Sequence, residues 1–459
     1  MALPPGPSLP PLVQTWHWLR RPFEFFDECA ARYGEIFQIK LTGFGTAAVV
    51  SSPEAIKEIF AAGPDVLLAG QSNALLRPFV GEHSILVLDG VEHHRQRKLL
   101  MPAFHGERMQ AYGQAMLDEA NASIDIWPLQ QSFAIQRQMQ AITLRIILRT
   151  IFGVAQGAQF ERMCAITRTA VEIASNPLLL FPVMQRDLGS WSPWGKFTRL
   201  TAAMDDIVRG EVEQRRRAAA PAGDDVLSML LEARDDQGAP MTFAELRDEL
   251  VTMLVAGHET TATALSWTLC WLLRDPALYA RLSAEIATAV ESDRLVPERV
   301  AKLELLDATV REGLRIRPVA PLVGRITRSP MQLSGYEIPS GWVVAPAIYL
   351  AHRRQSVFPA PDRFEPQRFI GTRVSPAEWL PFGGGTRRCI GAAFATYEMK
   401  MVLAAILWRT SLQLEPGYEP RPVRRGVTIA PAQGVPLILR ERRRSNLPPP
   451  AAAQGTPPN

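Results

Sequence analysis

The stretch that decides the fold is PFGGGTRRCIGAAFA, residues 381–395, where a single cysteine, Cys389, follows three glycines and two arginines. Consecutive glycines allow backbone angles that other residues avoid, and an apolar helix is predicted to begin just after the cysteine. A helix N-terminus, nearby guanidinium groups and loop N–H groups all favour a thiolate over a thiol. The stretch therefore predicts a loop that holds a negatively charged sulfur.

The alternative is that Cys389 is a small buried apolar residue, as most lone cysteines are. Glycines and arginines offer such a residue no packing, and the spacing of Phe382, Gly385, Arg387, Cys389 and Gly391 fits F-x-x-G-x-R-x-C-x-G. This pattern resembles the cysteine loop of the cytochrome P450 family. The resemblance implies that Cys389 is the thiolate ligand of haem b iron and that Phe382, Gly385, Arg387 and Gly391 help to bind the haem.

A second motif lies upstream, where Glu312 and Arg315 in REGLR are three residues apart on one predicted helical face. Taken alone, such a pair is common on solvated helices. The stretch PDRFEPQRF follows it, and with Arg368 the set resembles the Glu-Arg-Arg cluster of the family. The resemblance implies a structural role, in which one carboxylate binds two guanidinium groups and braces the cysteine loop.

A long predicted helix carries AGHETT, residues 256–261, in which Glu259 places an acid beside the hydroxyl of Thr260. In an ordinary helix a threonine hydroxyl bonds back to the carbonyl four residues earlier and only bends the helix. The family resemblance implies instead that this helix crosses the distal side of the haem. Thr260 would then deliver protons, Glu259 would supply them, and Ala256 would contact both haem and substrate.

Basic residues elsewhere would be needed to bind the two haem propionates, which require cationic partners where they are partly desolvated. His93 and Arg97 are four apart in DGVEHHRQRKLL, Arg325 lies on a predicted strand, and Arg387 is close to the cysteine. The resemblance implies propionate contacts for these four, with His94 as an alternative to His93. A solvated basic face is the alternative for the set, and we retain it for Arg95 and Lys98.

The composition is that of an ordinary globular protein of 459 residues, with a formal charge of +4 that gives no case for nucleic-acid binding. Four cysteines without CxxC spacing indicate neither a disulfide framework nor a zinc site, and they favour a reducing, cytoplasmic location. The predicted architecture is mainly α with small β-sheets (α+β). The resemblance implies the cytochrome P450 fold, a single large haem-enclosing domain over residues 14–440, preceded by a Pro-rich flexible N-terminus, 1–13, and followed by a disordered Pro/Ala-rich tail, 441–459.

Helical periodicity and β-rich runs place these elements along the chain. Helices are predicted at residues 54–61, 92–100, 107–126, 140–152, 204–217, 243–274, 276–290, 302–314 and 392–408. Strands are predicted in two groups, one within residues 36–52 and the other within residues 322–352.

Residues 250–273 are apolar and long enough to cross a bilayer, but His258 and Glu259 lie near the middle. A carboxylate at that depth is costly, so a helix buried in a large soluble domain explains the pattern better. The opening LPPGP resembles the hinge of membrane-anchored eukaryotic members of the family, yet no anchor sequence comes before it. We therefore expect an enzyme of the soluble bacterial type, without a membrane anchor and monomeric.

The function implied by the resemblance is O2-dependent monooxygenation, in which a thiolate ligand favours O–O bond cleavage. Too few cysteines remain for an iron–sulfur cluster, so a separate ferredoxin and ferredoxin reductase are expected to supply electrons. Their docking face would include Arg387, Arg388, Lys400, Arg95 and Lys98, although these could also be propionate contacts and solvated charges.

The substrate prediction comes from family position and from the composition of one segment. Val255, Ala256, Leu322 and Val323 are expected to line the pocket, and residues 175–197 to form a mobile lid, although their apolar side chains could equally be core packing. The cysteine loop and the helix after it also resemble cyanobacterial and myxobacterial members associated with fatty acids and sesquiterpenes. A terpenoid or fatty acid that is hydroxylated or epoxidised is the predicted substrate.

Two other functions remain open at this point. The enzyme could use peroxide or isomerise an oxidised lipid, although peroxide-using relatives typically lack the pair formed by Glu259 and Thr260. A non-catalytic haem-binding protein is the other alternative, but no signalling domain accompanies the predicted haem domain.

Overall fold

The computed structural model describes residues 2–104, 108–153, 156–217 and 225–443, and helices make up most of this part of the chain. The described α-helices are α1 (Pro11–Arg20), α2 (Pro22–Tyr33), α3 (Pro53–Ala61), α4 (Ala69–Ser72), α5 (Arg77–Val80), α6 (Gly90–Leu100), α7 (Arg108–Asp125), α8 (Ile135–Phe152), α9 (Ala158–Ala174), α10 (Pro193–Arg217), α11 (Val226–Glu232), α12 (Phe243–Leu272), α13 (Pro276–Ala287), α14 (Pro297–Val300), α15 (Glu304–Ile316), α16 (Ile348–Ala351) and α17 (Ala392–Arg409).

The strands are short and form small sheets at the edges of the helical part. They are β1 (Ile36–Leu41), β2 (Gly45–Val50), β3 (Leu67–Leu68), β4 (Ser132–Ala134), β5 (Val290–Glu291), β6 (Arg294–Leu295), β7 (Arg325–Thr327), β8 (Met331–Leu333), β9 (Tyr336–Ile338), β10 (Val343–Pro346), β11 (Thr410–Leu414), β12 (Pro422–Arg425), β13 (Thr428–Pro431) and β14 (Pro436–Arg442).

The largest described sheet has the strand order β1-β2-β10-β7-β3, in which β10 runs parallel to β2 and the other neighbours are antiparallel. A second sheet has the order β11-β14-β4, and three hairpins complete the described β structure. Both strand groups predicted from the sequence thus meet in one sheet. The prediction of a mainly helical protein with small sheets is confirmed.

Helix α12 runs through the largest apolar core cluster, where it packs against α8, α15 and α17. It begins at a capping box, since Thr242 Oγ1 accepts the N–H of Glu245 and the Glu245 carboxylate accepts the N–H of Thr242. Being apolar on most faces, it is covered by other elements on most sides. None of the helices in the described ranges is both long and apolar enough to span a membrane.

The N-terminal residues lie along β1, although the sequence predicted a flexible segment up to residue 13. The backbone N–H of Gln38 donates to Pro5 O at 2.7 Å, and its side-chain amide donates to Pro4 O at 2.8 Å. A Cβ at Gly6 would lie 2.2 Å from the Gln38 carbonyl oxygen. Prolines lack an N–H but keep a carbonyl acceptor, which explains why this segment satisfies donors of the neighbouring strand. Helix α1 starts at Pro11, before the predicted boundary.

The C-terminal boundary also differs slightly from the prediction at residue 441. Glu441 and Arg442 complete β14, where they pair with Ser411 and Thr410 of β11. Pairing with a neighbouring strand gives charged residues a place in a sheet that their composition alone does not predict. The remainder of the predicted tail, from residue 444 onward, lies outside the described residues.

Candidate active site

Cys389 lies three residues before α17 and is accessible to solvent, although protein surrounds it on most sides. Its backbone N–H donates to Phe382 O at 2.9 Å, and the N–H of Gly391 hydrogen-bonds the sulfur. Burial raises the pKa of the thiol, and Gly391, Arg388 and Arg97 offset this only in part. Burial therefore favours the neutral thiol, whereas a metal cation bonded to the sulfur would favour the thiolate.

The glycines of the cysteine loop fit the loop against Phe60 in α3. Gly385 has φ +64°, and a Cβ there would lie 2.3 Å from the Phe60 carbonyl oxygen. A Cβ at Gly384 would lie 2.2 Å from the Phe60 ring. Gly391 differs, because no heavy atom of the described residues lies within 4 Å of a Cβ placed there. Only Gly391 thus leaves the open approach that the sequence predicted for a flat group.

The predicted brace forms in the protein interior. Arg315 donates two hydrogen bonds to the Glu312 carboxylate, at 2.6 and 2.8 Å, and both side chains are fully buried. Arg368 Nε lies 3.5 Å from Glu312 Oε1, so one carboxylate does face two guanidinium groups. Arg368 also binds Glu365 at 2.8 Å.

His352, which the sequence analysis did not single out, links this brace to the cysteine loop. Arg315 donates to the His352 carbonyl oxygen at 3.0 Å, and His352 Nε2 accepts the N–H of Leu380 at 2.9 Å. Burial and the Arg315 charge lower the pKa of His352 to about 3, which keeps the ring neutral and able to accept. Leu380 immediately precedes the cysteine loop, so the buried ion pair fixes where the loop begins.

His93 lies close enough to Arg97, Arg325 and Arg387 to interact with them electrostatically. Burial and the three arginines lower the pKa of His93 to about 3, so its imidazole is neutral. Arg325 is only 8% exposed, and burial together with the charge of Arg387 lowers its pKa to about 10. Four basic side chains thus converge where positive charge is poorly solvated.

Arg387 already has partners that local sequence did not reveal. It donates to Asp89 at 2.6 Å, to the Ile85 carbonyl at 3.1 Å and to the Leu88 carbonyl. Within the described ranges, neither Arg97 nor Arg325 forms an ion pair with a carboxylate. Buried positive charge is unfavourable without anionic partners, and haem brings two carboxylates. The accessible cysteine and these two arginines therefore fit haem: the sulfur suits its iron, and the arginines suit its two carboxylates.

On α12, Thr260 Oγ1 donates to the Ala256 carbonyl oxygen at 2.5 Å. This is the helix-bending bond that the sequence analysis gave as the alternative role. Ala256 is exposed and Thr260 is half-buried, although most residues around them on the helix are buried. These two positions, one turn apart, are therefore more exposed than most of their neighbours on the helix.

The neighbouring Glu259 is 6% exposed and bonds residues that the sequence analysis missed. Gln140 of α8 donates to one carboxylate oxygen at 2.7 Å, and Arg425 of β12 lies 3.4 Å from the other. Burial raises the pKa of Glu259, and Arg425 and Gln140 oppose this shift. Gln140 and Arg425 are 119 and 166 residues from Glu259, so no local pattern could have identified them.

An apolar cavity lies between α9, α10 and the first half of α12. Its wall includes Phe79, Val171, Phe197, Leu254 and Val255. Phe197, at the end of the predicted lid, belongs to this wall, and Val255 was predicted to line the pocket.

The other residues predicted to line the pocket lie elsewhere. Ala256, Leu322 and Val323 are not among the described residues that line the cavity. Leu322 and Val323 pack instead against two core clusters that contain residues of the largest sheet.

Most of the predicted docking cations already have anionic or carbonyl partners. Arg95 binds two carboxylates at 2.6 and 2.5 Å, and Lys98 binds another. Lys400 is buried and donates to a backbone carbonyl and a carboxylate. Arg387 points to its own partners, which leaves Arg388 as the exposed member without an ion pair in the described part of the chain. The five residues therefore do not form the basic surface that the sequence suggested.

A mainly helical fold in which an accessible, helix-preceding cysteine faces uncompensated buried arginines defines a haem-thiolate protein. Comparison with known proteins gives the family. The family description "Cytochrome P450" matches residues 4–435, and the chain belongs to the cytochrome P450 family. It is therefore a cytochrome P450 monooxygenase, an enzyme with a haem-thiolate cofactor that uses O2 and electrons from a redox partner.

The relatives found are bacterial proteins of similar length. The chain is 38% identical over 458 residues to a protein of Mycobacterium tuberculosis provisionally named cytochrome P450 135B1, covering 99% of this chain and 95% of that protein. It is 37% identical over 445 residues to another from the same organism, provisionally named cytochrome P450 135A1, covering 96% of each.

Two solved structures share the fold. The retinoic acid-bound cyanobacterial CYP120A1 has a TM-score of 0.84 and 25% identity, covering 96% of this chain and 99% of that one. The haem domain of cytochrome P450DA has a TM-score of 0.81 and 26% identity, covering 96% and 98%.

Proposed function

We propose that this monooxygenase inserts one oxygen atom into a lipophilic substrate, a terpenoid or a fatty acid, by hydroxylation or epoxidation, with electrons from a ferredoxin. The observation that carries the substrate class is the cavity beside α12, whose wall is almost entirely apolar. An apolar substrate is favoured there because it removes apolar surface from water without leaving polar groups unpaired.

One polar group in this wall narrows the proposed substrate class. Thr167 of α9 is 5% exposed, and its hydroxyl has no hydrogen-bond partner among the described residues. The other threonine of the wall, Thr201, donates to the carbonyl groups of Phe197 and Thr198. A buried hydroxyl without a partner is unfavourable, so a ligand that supplies one gains affinity. We therefore propose a substrate with one hydrogen-bonding group on an apolar body.

The solved structure of cyanobacterial CYP120A1 supports this choice of substrate class. Its bound retinoic acid is an apolar isoprenoid with one carboxyl group. A terpenoid alcohol or acid would have the same general character, and so would a fatty acid. The prediction from the sequence thus stands as a proposal, now with a cavity and a polar residue that support it.

We expect Thr167→Val to weaken binding of the terpenoid alcohol farnesol about 5-fold, because one hydrogen bond contributes about 1 kcal/mol. Binding of the matching hydrocarbon, farnesene, should not change. Binding is measured from the absorbance change of the ferric haem. Thr201→Val is the matched control, because its hydroxyl already bonds the backbone. An equal loss of affinity for alcohol and hydrocarbon in Thr167→Val would contradict the proposed polar contact.

Haem would supply the oxidising chemistry when bound: Cys389 would bind its iron, and Arg97 and Arg325 would pair with its carboxylates. The apolar cavity excludes water from the reacting carbon. Glu259 takes a proton from solvent and passes it toward the hydroxyl of Thr260, which exchanges its bond to the Ala256 carbonyl for a bond in the relay.

We expect Thr260→Ala to divert most electrons to hydrogen peroxide, so that product per electron falls at least about 5-fold while oxygen uptake continues. The ratio of product to peroxide is measured with farnesol, a surrogate ferredoxin and its reductase. Ser266→Ala is the matched control, because Ser266 makes the same type of bond one turn and a half further along α12, at 2.7 Å to Ala262 O. Coupling equal to that of the parent in Thr260→Ala would exclude this relay.

The electron donor and the cellular setting complete the proposal. A separate ferredoxin is proposed because, within the described residues, the four cysteines are free and lie on different elements, so that they cannot hold a cluster. Free cysteines are also typical of the reducing cytoplasm, where we propose that this enzyme works as a monomer.

A further inference from the structure

The hairpin of β12 and β13 contacts both the acid of the proposed relay and the start of the proposed lid. Two contacts anchor the hairpin beside its tip, at the paired residues Arg424 and Ile429. The indole N–H of Trp267 in α12 donates to Ile429 O at 3.1 Å, and Ile429 is fully buried. The Arg424 guanidinium stacks over the Trp18 ring, 3.8 Å from its centroid. The hairpin therefore holds its tip at a defined place between α12 and α9.

One contact of the tip is made by Arg425 with Glu259. Arg425 Nε lies 3.4 Å from Glu259 Oε1, yet neither atom has a hydrogen bond within the described residues. Arg425 is one-third exposed, whereas Glu259 is nearly buried. The pair therefore has one side chain in contact with solvent and one in the interior. Attraction without a locking hydrogen bond leaves Arg425 free to approach or withdraw.

The second contact of the tip is a backbone bond. The N–H of Gly426 donates to Ser175 O at 2.7 Å. Ser175 caps α9 and is the first residue of the proposed lid, residues 175–197, whose last residue lines the apolar cavity. A movement of the lid therefore pulls directly on the residue next to Arg425.

We propose that Arg425 is a positioning residue that couples closure of the lid over substrate to the charge of Glu259. This inference rests on the relay role of Glu259 proposed above. With the lid closed, the Ser175–Gly426 bond holds Arg425 against the carboxylate. With the lid open, this backbone bond is broken and the Arg425 side chain turns toward solvent. Proton supply through the relay is thereby tied to an occupied cavity.

The electrostatics of the site support this coupling. A relay carboxyl must release and regain a proton in each turnover, so its pKa must stay near the working pH. Burial raises the pKa of Glu259, and Arg425 is the charged group that lowers it. From α8 the neutral amide of Gln140 faces the carboxyl. Glu398 of α17 bonds Thr261 rather than Glu259. His258 of α12 bonds the Leu254 carbonyl of its own helix.

The test is an infrared pH titration of the holoenzyme, in which the Glu259 band is the carboxyl C=O band that Glu259→Gln removes. With the apolar cavity occupied and the lid closed, Arg425→Gln should raise the pH midpoint of this band by about one unit, because a cation close to a carboxylate lowers its pKa by about that much or more. Arg425→Lys should restore most of the parental midpoint. Arg421→Gln, at the exposed start of the same hairpin, is the matched control and should change nothing.

Lid closure is tested with 1-dodecylimidazole, whose imidazole nitrogen binds ferric haem iron and whose alkyl chain occupies the apolar cavity. Binding of the probe should lower the pH midpoint of the Glu259 band in the parent protein. The same probe should not change this midpoint in Arg425→Gln. A parental midpoint in probe-bound Arg425→Gln, or the same probe effect in both proteins, would overturn the inference. Failure of the relay itself would appear differently, as coupled product formation that survives in Glu259→Gln.

Discussion

Cys389→Ser is expected to abolish monooxygenase activity and to remove the strongly red-shifted Soret band that a thiolate ligand gives in the reduced, carbon monoxide-treated enzyme. A serine hydroxyl is far less acidic and a weaker donor than a thiolate, so it cannot maintain the same bond to iron. Burial raises the pKa of the Cys389 thiol, and the metal therefore has to provide much of the stabilisation of the anion. This is the largest loss that we expect from a single substitution.

The matched control is Cys164→Ser, because Cys164 is half-buried on α9 and is a free thiol like Cys389. It should keep the red-shifted band and the activity. Haem content and the far-ultraviolet circular dichroism spectrum show whether Cys389→Ser still folds. A variant that is folded, contains haem and keeps the red-shifted band would show that another residue is the ligand.

Removing the charge of Glu312 is the second substitution expected to have a large effect. Glu312→Gln leaves the fully buried Arg315 without its anionic partner, and breaking a buried ion pair in this way costs about 3–5 kcal/mol of folding free energy. Since Arg315 also donates to the His352 carbonyl, we expect the start of the cysteine loop to loosen. Haem should then be retained poorly, and the thermal unfolding temperature should fall markedly.

The expected result is measured as haem content after purification and as the unfolding temperature of the holoenzyme. Glu365→Gln is the control, because Glu365 also pairs with Arg368 but is more than one-third exposed. Exposed ion pairs contribute little, so this variant should stay close to the parent. A Glu312→Gln protein with parental haem content and unfolding temperature would show that the buried pair does not brace the loop.

Local spacing was enough to predict the cysteine loop and the brace. Phe382, Gly385, Arg387, Cys389 and Gly391 lie within ten residues, and their geometry depends on one turn and one helix start. Glu312 and Arg315 are three apart on α15, where helical periodicity alone brings them together. The buried apolar character of α12 likewise follows from its composition.

Local spacing did not predict the contacts that some residues make in the folded protein. Gly385 was expected to allow unusual backbone angles and to help bind the haem, but the space for a side chain there is also closed by the Phe60 carbonyl of α3. Arg95 and Lys98 were candidates for a docking face, but carboxylates near the start of α12 and before it bind them. Basic residues on one helix face look alike in sequence whether solvent or another helix covers that face.

The sequence by itself determined which residue is the candidate iron ligand, which pair is the candidate brace of its loop, and the helical class of the fold. Short-range spacing fixes these features because helices and turns bring nearby residues together in a regular way. Only the tertiary structure decided that Arg387 binds Asp89, that His352 joins the brace to the loop, and that Arg425 reaches Glu259. These partners are tens to hundreds of residues apart along the chain, and they meet because packing of the core places their elements side by side.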